Sequence, residues 1–196
     1  LESHADDGVL DGRIGMGHTR WATHGEPTDN NAHPHISGNG NLAIIHNGII
    51  ENYNVLKEAL ERLGHTFRSE TDTEVLIHLI EEYQTRDDIS LEDAVRKALS
   101  KVIGAYAIVV IDKNNPDRLI GAKKSSPLVV GIGTNEFFLA SDATPFIEHT
   151  KKVVYLNDEE VVVVQRDGTF EITNIQNKVQ NPKVYELDME LEQLEK

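Results

Sequence analysis

Apolar residues recur at helical spacing in the second quarter of the chain and predict three helices. The first covers residues 55–63 and is followed by Gly64, a natural helix stop. The second opens with Thr71-Asp72-Thr73-Glu74, a capping-box pattern whose first hydroxyl and last carboxylate can accept from free backbone amides. The third opens with Ser90-Leu91-Glu92-Asp93. Each helix carries one apolar face, so the region predicts a helical layer against a core.

Short apolar and β-branched runs predict strands elsewhere. Leu42–His46 is expected to be a buried strand that ends in a polar turn at Asn47-Gly48. Ala105–Ile111 is apolar on both faces, which is typical of a central strand. A turn is expected over Asp112–Asp117. The other predicted elements are strands at Arg13–His18, Leu119–Ala122, Leu128–Ile132, Glu136–Leu139, Val153–Leu156, Val161–Val164 and Phe170–Thr173, and a short helix at Asp142–His149.

Helices and strands occur in separate runs, which favours α+β layers over an alternating, doubly wound sheet. The length of 196 residues suits one domain, or a domain with a tail. From residue 174 onward the pattern resembles a linker, with a few apolar residues among acids. The predicted organisation is a domain over residues 1–173 and a tail over 174–196.

Charge and composition exclude several classes of protein. Nineteen Lys and Arg against 33 Asp and Glu give a net charge of −14, which argues against nonspecific nucleic-acid binding. The longest apolar run, Ala105–Ile111, is too short to span a bilayer, and the acidic first residues do not suit a signal peptide. A cytoplasmic protein with no membrane contact is therefore expected. The absence of cysteine excludes disulfides, thiolate metal sites and a thiol nucleophile within this sequence.

The segment Gly17–Gly25 concentrates polar chemistry around the only tryptophan. It holds one guanidinium, two imidazoles and two hydroxyls within nine residues. One interpretation is a polar loop that Trp21 anchors to the core. The other is a binding loop, in which Arg20 grips an anionic group such as a carboxylate through parallel hydrogen bonds.

A second candidate is His46-Asn47-Gly48, at the predicted strand end. Asn-Gly there commonly forms a hairpin turn. Alternatively, the Asn47 side-chain amide and the Gly48 backbone N–H point the same way and stabilise an oxyanion. Asp72, in the first turn of its helix, either complements the helix dipole or binds an ammonium group.

Nine histidines raise the question of a metal. His24, His33 and His35 lie close in sequence, but none has the i, i+4 spacing of a helical zinc motif, and Pro34 prevents a regular helix. A metal-dependent hydrolase therefore stays a minor alternative. We expect neither a metal nor a cofactor.

Three segments, Gly17–Gly25, His46–Asn52 and Ser69–Glu74, together resemble the glutaminase domains of the glutamine–fructose-6-phosphate aminotransferase family. This family belongs to the class II glutamine amidotransferases, within the N-terminal-nucleophile hydrolases. Weaker resemblance continues over most of the chain. It implies a four-layer αββα sandwich, here without the N-terminal nucleophile strand.

The resemblance also implies roles for individual residues. Asn47 and Gly48 would be the oxyanion donors, Arg20 would hold the α-carboxylate of L-glutamine, and Asp72 would hold its α-ammonium group. The two charged side chains thus match the opposite charges of a zwitterion.

Three further residues take supporting roles by the same resemblance. Thr23 and His24 would help Arg20 bind the substrate. Trp21 resembles the tryptophan that lines the ammonia route of the family.

The chain departs from the family in one large respect. Family members begin with a cysteine that attacks the glutamine amide, its own α-amine serving as the base, whereas this sequence begins with Leu1. We therefore expect the chain to bind glutamine poorly and to hydrolyse none by itself. The family's partner is a C-terminal sugar-isomerase domain that binds fructose 6-phosphate, in an enzyme expected to be a homo-oligomer. The alternatives are a non-catalytic glutamine-binding or regulatory domain, or the glutaminase domain of another class II amidotransferase.

Overall fold

The computed structural model describes residues 12–20 and 25–187, which form three α-helices and two antiparallel sheets. The helices are α1 (Tyr53–Arg62), α2 (Asp72–Asp87) and α3 (Leu91–Leu99). The six-stranded sheet has the order β1 (His35–Ile36), β2 (Leu42–Ile50), β3 (Gly104–Asp112), β4 (Asn115–Lys124), β8 (Glu160–Gln165), β9 (Phe170–Asn174). The four-stranded sheet has the order β10 (Tyr185–Glu186), β7 (Lys152–Tyr155), β5 (Val129–Ile132), β6 (Phe137–Ala140).

The large sheet is covered on both faces, because side chains along a strand alternate between them. In β3, Ile108 and Val110 pack against the helices, whereas Ala107 and Val109 face the small sheet. This double burial explains why β3 is apolar from Ala105 to Ile111, and it confirms the predicted central strand. The α+β sandwich expected from the sequence is confirmed. On the outer side of the small sheet, the described residues supply only a 3₁₀ turn at Thr144–Phe146, shorter than the predicted helix.

The three longer predicted helices are confirmed, with one change at the start of α2. Gly64 follows α1 with a φ of +97°, and the Ser90 hydroxyl accepts from Asp93 N–H at 3.1 Å to cap α3. The Thr71 hydroxyl accepts from Glu74 N–H at 3.4 Å. The Glu74 carboxylate, however, reaches past Thr71 and accepts from the N–H groups of the two residues before Glu70. The capping box is therefore only half formed.

Three predicted features of the strands are wrong. Residues 13–18 form no strand, because no strand among the described residues pairs with them. The turn expected at Asn47-Gly48 is absent, since β2 continues to Ile50 and stays paired with β3. The turn after β3 is shorter than expected, because β4 begins at Asn115. The remaining strands agree with prediction to within a few residues.

Part of the predicted tail belongs to the small sheet. Tyr185 and Glu186 pair with Val153 and Lys152 of β7. Residues 188–196 lie outside the described residues, so the boundary at 173/174 stays a prediction. Within the part of the chain that the structure covers, no helix is long and apolar enough to cross a membrane.

Candidate functional site

Asn47 and Gly48 lie within β2 and not at its end. They pair in register with Ala107 and Tyr106 of β3. Asn47 is exposed, while its neighbour His46 is buried with Nδ1 2.9 Å from the Thr73 hydroxyl of α2. An Asn-Gly pair inside a strand has no turn to form, so the hairpin interpretation is excluded.

Gly48 has a backbone conformation that only glycine accommodates here. Its φ is +126°, and a Cβ at this position would lie 2.2 Å from the Ala105 carbonyl oxygen and 3.1 Å from the Ser126 hydroxyl. The absence of a side chain therefore lets β2 and β3 approach closely. Ile50 N–H, two residues on, points to the strand edge away from β3. Because alternate N–H groups of a strand face the same side, we expect the Gly48 N–H at that edge as well.

His18 brings the Gly17–Gly25 segment to Asn47. Its Nε2 lies 2.8 Å from the Asn47 Oδ1, and its Nδ1 accepts from the Arg20 backbone N–H at 2.9 Å. One imidazole therefore joins the predicted binding loop to the predicted oxyanion donor. His18 has no role among those predicted from the sequence, and its place in the polar Gly17–Gly25 segment is the one signal that points to it.

Arg20 is held by the loop that follows it. Its guanidinium donates to the carbonyls of Glu26, at 2.9 Å, and Gly25, at 3.1 Å. Asn31, itself buried, donates to the same Glu26 carbonyl at 3.0 Å and accepts from Glu70 N–H at 2.9 Å. The contacts thus run from Arg20 through this loop to the residues just before α2. Two residues beyond Glu70, the chain reaches Asp72.

Asp72 joins the start of α2 to β2. It is 3% exposed, and its Oδ2 accepts from Ile50 N–H at 2.8 Å. The carboxylate therefore lies at the helix N-terminus, where the dipole favours an anion, and it also satisfies a backbone N–H at the strand edge. Neither of the two roles considered from sequence included this strand contact.

Hydrogen bonds and short chain segments join these residues into a closed circuit, which we name the site circuit. It passes from Asn47 through His18 to Arg20, through the Glu26–Asn31 loop to Glu70, and through Asp72 back to β2. The pKa of His35 lies below its ordinary value, because burial lowers it more than the Glu74 and Asp72 carboxylates raise it, and Arg20 lowers it further.

A group of histidines packs beside this circuit. The His33 ring lies 4.2 Å from that of His18 and 5.0 Å from that of His35, and His35 Nε2 is 2.9 Å from the Thr71 hydroxyl. Burial, the other histidines and Arg20 lower the pKa of His33 to about 3. His33 is therefore a neutral packing group at ordinary pH. His24, its companion in the metal alternative, lies outside the described residues.

Trp21, Thr23 and His24 all lie outside the described residues, so their roles stay predictions.

A groove of about 980 Å³ lies near Leu42, Asp112 and Arg118. Leu42 is the first residue of β2, so this groove is at the other end of the strand from Asn47.

Comparison with known proteins agrees with this picture. A model of the glutamine amidotransferase domain matches residues 4–179. The chain is 53% identical over 196 residues to a glutamine–fructose-6-phosphate aminotransferase [isomerizing] of Bacteroides thetaiotaomicron, and 52% identical over 189 residues to one of Chlorobaculum tepidum. These alignments cover 100% and 96% of this chain, but 32% and 31% of the relatives. The chain therefore spans about a third of their length.

Solved structures place the fold in the same group. The glutamine phosphoribosylpyrophosphate amidotransferase of B. subtilis superimposes with a TM-score of 0.66 at 28% identity, over 83% of this chain and 35% of that chain. The fold and the matched family model together define the class: the chain belongs to the glutamine amidotransferase domain family.

Proposed function

We propose that this chain holds the substrate-binding and oxyanion-stabilising groups of a domain that hydrolyses glutamine to glutamate and ammonia. In the longer enzyme, the ammonia would convert fructose 6-phosphate to glucosamine 6-phosphate. The observation that carries the proposal is the site circuit, because it connects an exposed asparagine amide, a guanidinium and a buried carboxylate. The names of the relatives, which span about three times the length of this chain, support the choice of acceptor.

The proposed roles follow from complementary charge. Arg20 would hold the α-carboxylate of glutamine and Asp72 its α-ammonium group. Asn47 Nδ2 and Gly48 N–H would donate to the amide oxygen as it becomes negative. Thr23 and His24 would assist Arg20, and Trp21 would line the ammonia route.

The thiol that attacks the amide would come from outside this sequence, which contains no cysteine. Attack on the amide carbon moves a pair of electrons onto the carbonyl oxygen. Two neutral hydrogen-bond donors stabilise the negatively charged transition state more than they stabilise the uncharged substrate. The activation barrier of the attack is therefore lower. The α-amine of the attacking cysteine would take the thiol proton and pass it to the amide nitrogen, so that the C–N bond breaks and ammonia leaves. Water then releases glutamate from the resulting thioester and restores the thiol.

The remaining features of the enzyme are proposals of the same kind. A sugar-isomerase domain would follow the tail at residues 174–196. The enzyme would be a cytoplasmic homo-oligomer. Non-catalytic glutamine binding is the less favoured function, because the similar relatives bear the name of the enzyme.

The sharpest test separates the charge of Asp72 from its contact with β2. Asp72→Asn removes the charge but keeps an oxygen that can accept from Ile50 N–H. Titration of this chain, followed by NMR because weak binding is expected, should show glutamine binding weakened about 10- to 100-fold. Binding of glutaramate, which is glutamine without the α-amino group, should not change.

The matched control is Asp112→Asn. Asp112 is also a buried carboxylate that accepts from a backbone N–H, at Asn114, but it ends β3 and pairs with Leu42, at the other end of β2 from Asn47. Asp112→Asn should leave the affinities for glutamine and for glutaramate unchanged. Equal weakening of glutamine binding and glutaramate binding by Asp72→Asn would refute the ammonium role.

In a longer chain with the thiol, Asn47→Ala should lower turnover about 10²-fold or more with little effect on glutamate binding.

A further inference from the structure

A second polar cluster lies on α2, away from the site circuit. His78 and Glu81 stand three residues apart on one face of the helix, and His65 approaches them from the segment after α1. One donor atom from each of these three side chains lies within 4.8 Å of the other two. The proposed glutaminase chemistry uses none of them.

The distances between the donor atoms suit a small tetrahedral cation. Nδ1 of His78 lies 3.4 Å from the Glu81 Oε2, and Nδ1 of His65 lies 3.8 Å from the same oxygen. Ligands bound to zinc at about 2.0–2.1 Å in tetrahedral geometry are separated by roughly 3.3 Å. A cation could therefore bind all three atoms after shifts of about 0.1 Å and 0.5 Å in the two measured separations, and of at most about 1.5 Å between the two imidazoles.

The outer nitrogen of each imidazole faces a second carboxylate. Nε2 of His65 lies 3.1 Å from Glu82 Oε2, and Nε2 of His78 lies 3.5 Å from Glu74 Oε1. In metal sites the non-ligating nitrogen of a histidine usually donates to a carboxylate, which orients the ring and makes the other nitrogen a better ligand. His65 has this arrangement, with Nδ1 toward the shared oxygen. Nε2 of His78 lies beside Glu74 Oε1 but, among the described residues, makes no hydrogen bond.

The third ligand is also oriented before any cation binds. The two oxygens of Glu81 accept from the N–H groups of Gly38, at 2.9 Å, and Asn39, at 2.7 Å. Each carboxylate oxygen has a second lone pair, so these bonds leave ligating capacity. The carboxylate is thereby fixed between α2 and the turn that precedes β2.

The cluster brings three carboxylates to two imidazoles, and the Arg86 guanidinium, 3.3 Å from Glu82 Oε1, and backbone N–H groups compensate only part of their charge. The side chains of His78, Glu81 and His65 are 3%, 8% and 13% exposed, and the carboxylates of Glu74, Glu81 and Glu82 surround the two imidazoles. Buried carboxylates are stable only when a positive charge or hydrogen bonds compensate them. A divalent cation would supply this charge more fully than a proton on one ring.

We propose that Nδ1 of His65, Nδ1 of His78 and a Glu81 oxygen bind a divalent cation of the zinc type. Two imidazoles and one carboxylate are ligands that Zn²⁺ prefers, whereas Mg²⁺ and Ca²⁺ prefer oxygen alone. Three protein ligands leave one tetrahedral position for water. The cation would tie the segment after α1 and the turn before β2 to α2, and so stabilise the helical side of the domain. This site does not depend on the proposed function.

The test is a titration of this chain with ZnCl₂ after treatment with a chelator. Calorimetry should give one strong site per chain, and Zn²⁺ but not Mg²⁺ should raise the melting temperature. His65→Gln should weaken zinc binding at least about ten-fold. It is the preferred variant because Glu81→Gln would also disturb the Gly38–Asn39 turn.

The control is His33→Gln, which changes the histidine group beside the site circuit. It should leave zinc binding unchanged. Loss of zinc binding in His33→Gln but not in His65→Gln would overturn the proposal, as would a wild-type chain that binds no stoichiometric zinc. Nitrogen-15 spectra of the imidazole rings provide a second measurement. The chemical shifts of Nδ1 in His65 and His78 should change when zinc is added. A change at Nε2 alone would also overturn it.

Discussion

The imidazole of His18 determines which way the Asn47 amide points. The Arg20 backbone N–H lies 2.9 Å from the His18 Nδ1, and the His18 Nε2 lies 2.8 Å from the Asn47 Oδ1. Because a backbone N–H can only donate, Nδ1 is an acceptor and the proton of neutral His18 lies on Nε2. That proton is donated to Oδ1. The Asn47 NH₂ group is then directed away from His18, as an oxyanion donor requires.

His18→Ala should therefore lower turnover without a large change in substrate affinity. In a longer enzyme chain that carries the thiol, we expect kcat to fall, but by less than the 10²-fold or more expected for Asn47→Ala. The KM for glutamine should change little. His18→Gln should recover part of kcat, because its side-chain NH₂ can still donate to Oδ1.

The control is Thr19→Ala, at the exposed neighbouring residue. It should leave kcat unchanged. If His18→Gln and His18→Ala lose the same activity, His18 acts through packing and not through the hydrogen bond to Asn47.

Gly48→Ala is expected to disrupt β2 by a clash and not only by backbone strain. The new Cβ would lie 2.2 Å from the Ala105 carbonyl oxygen. Backbone at +126° is also unfavourable for alanine. Urea unfolding of this chain should show a loss of about 3 kcal/mol or more in the free energy of unfolding.

Gly64→Ala provides the comparison for this loss. Gly64 also has a positive φ, +97°, but a Cβ there would meet nothing within 4 Å. Its cost should be only the strain, about 1 kcal/mol. Equal losses for the two variants would mean that β2 and β3 separate easily, and that close approach at Gly48 has no structural importance.

The elements that the sequence predicted correctly are those with local causes. Helical periodicity, the Ser90 cap and the stop at Gly64 act within a few residues, and each is present in the structure. The continuous apolar run of β3 likewise predicts burial on both faces, and the two faces of β3 belong to two separate core clusters.

The features that the sequence could not predict depend on contacts between distant residues. Asn47-Gly48 has the composition of a turn, and only the pairing with β3 keeps it extended. The contact between His18 and Asn47 joins residues 29 positions apart. The resemblance to a family supplied residue types for the site, but neither the strand contact of Asp72 nor the neighbouring histidines.

Asn31→Ala should weaken glutamine binding through Arg20. Asn31 ties the Glu26 carbonyl, which Arg20 also contacts, to Glu70. Without it, the loop that holds the guanidinium loses its connection to the start of α2. We expect weaker glutamine binding in the NMR titration and a loss of about 1–3 kcal/mol in stability, because buried partners lose hydrogen bonds.

Asn52→Ala separates these two effects. Asn52 also bridges two backbone groups, accepting from Ile103 N–H at 2.9 Å and donating to the Lys101 carbonyl at 2.8 Å, but just before α1 and not in the loop that holds Arg20. It should reduce stability by a similar amount and leave glutamine binding intact. Should both variants weaken binding equally, the effect of Asn31 would be one of general stability.

His33 should make the fold sensitive to acid. Its pKa is lowered from 6.5 to about 3, by burial first and then by His18, His35, His46 and Arg20. Among the described residues its buried Nδ1 has no hydrogen-bond partner. Below pH 6.5, His33 therefore binds a proton in the unfolded chain but stays neutral in the folded chain. The free energy of unfolding does not depend on this group above pH 6.5, and it falls as the pH drops from 6.5 toward 3.

One such group contributes at most about 1.4 kcal/mol per pH unit to this slope. His33→Gln should reduce the slope of unfolding free energy against pH, measured by urea unfolding between pH 6.5 and 4. The corresponding change at His149, an exposed histidine outside the group, is the control and should leave the slope as in the wild type. Equal slopes in the wild type and in His33→Gln would mean that His33 takes up its proton in the folded chain as readily as in the unfolded one.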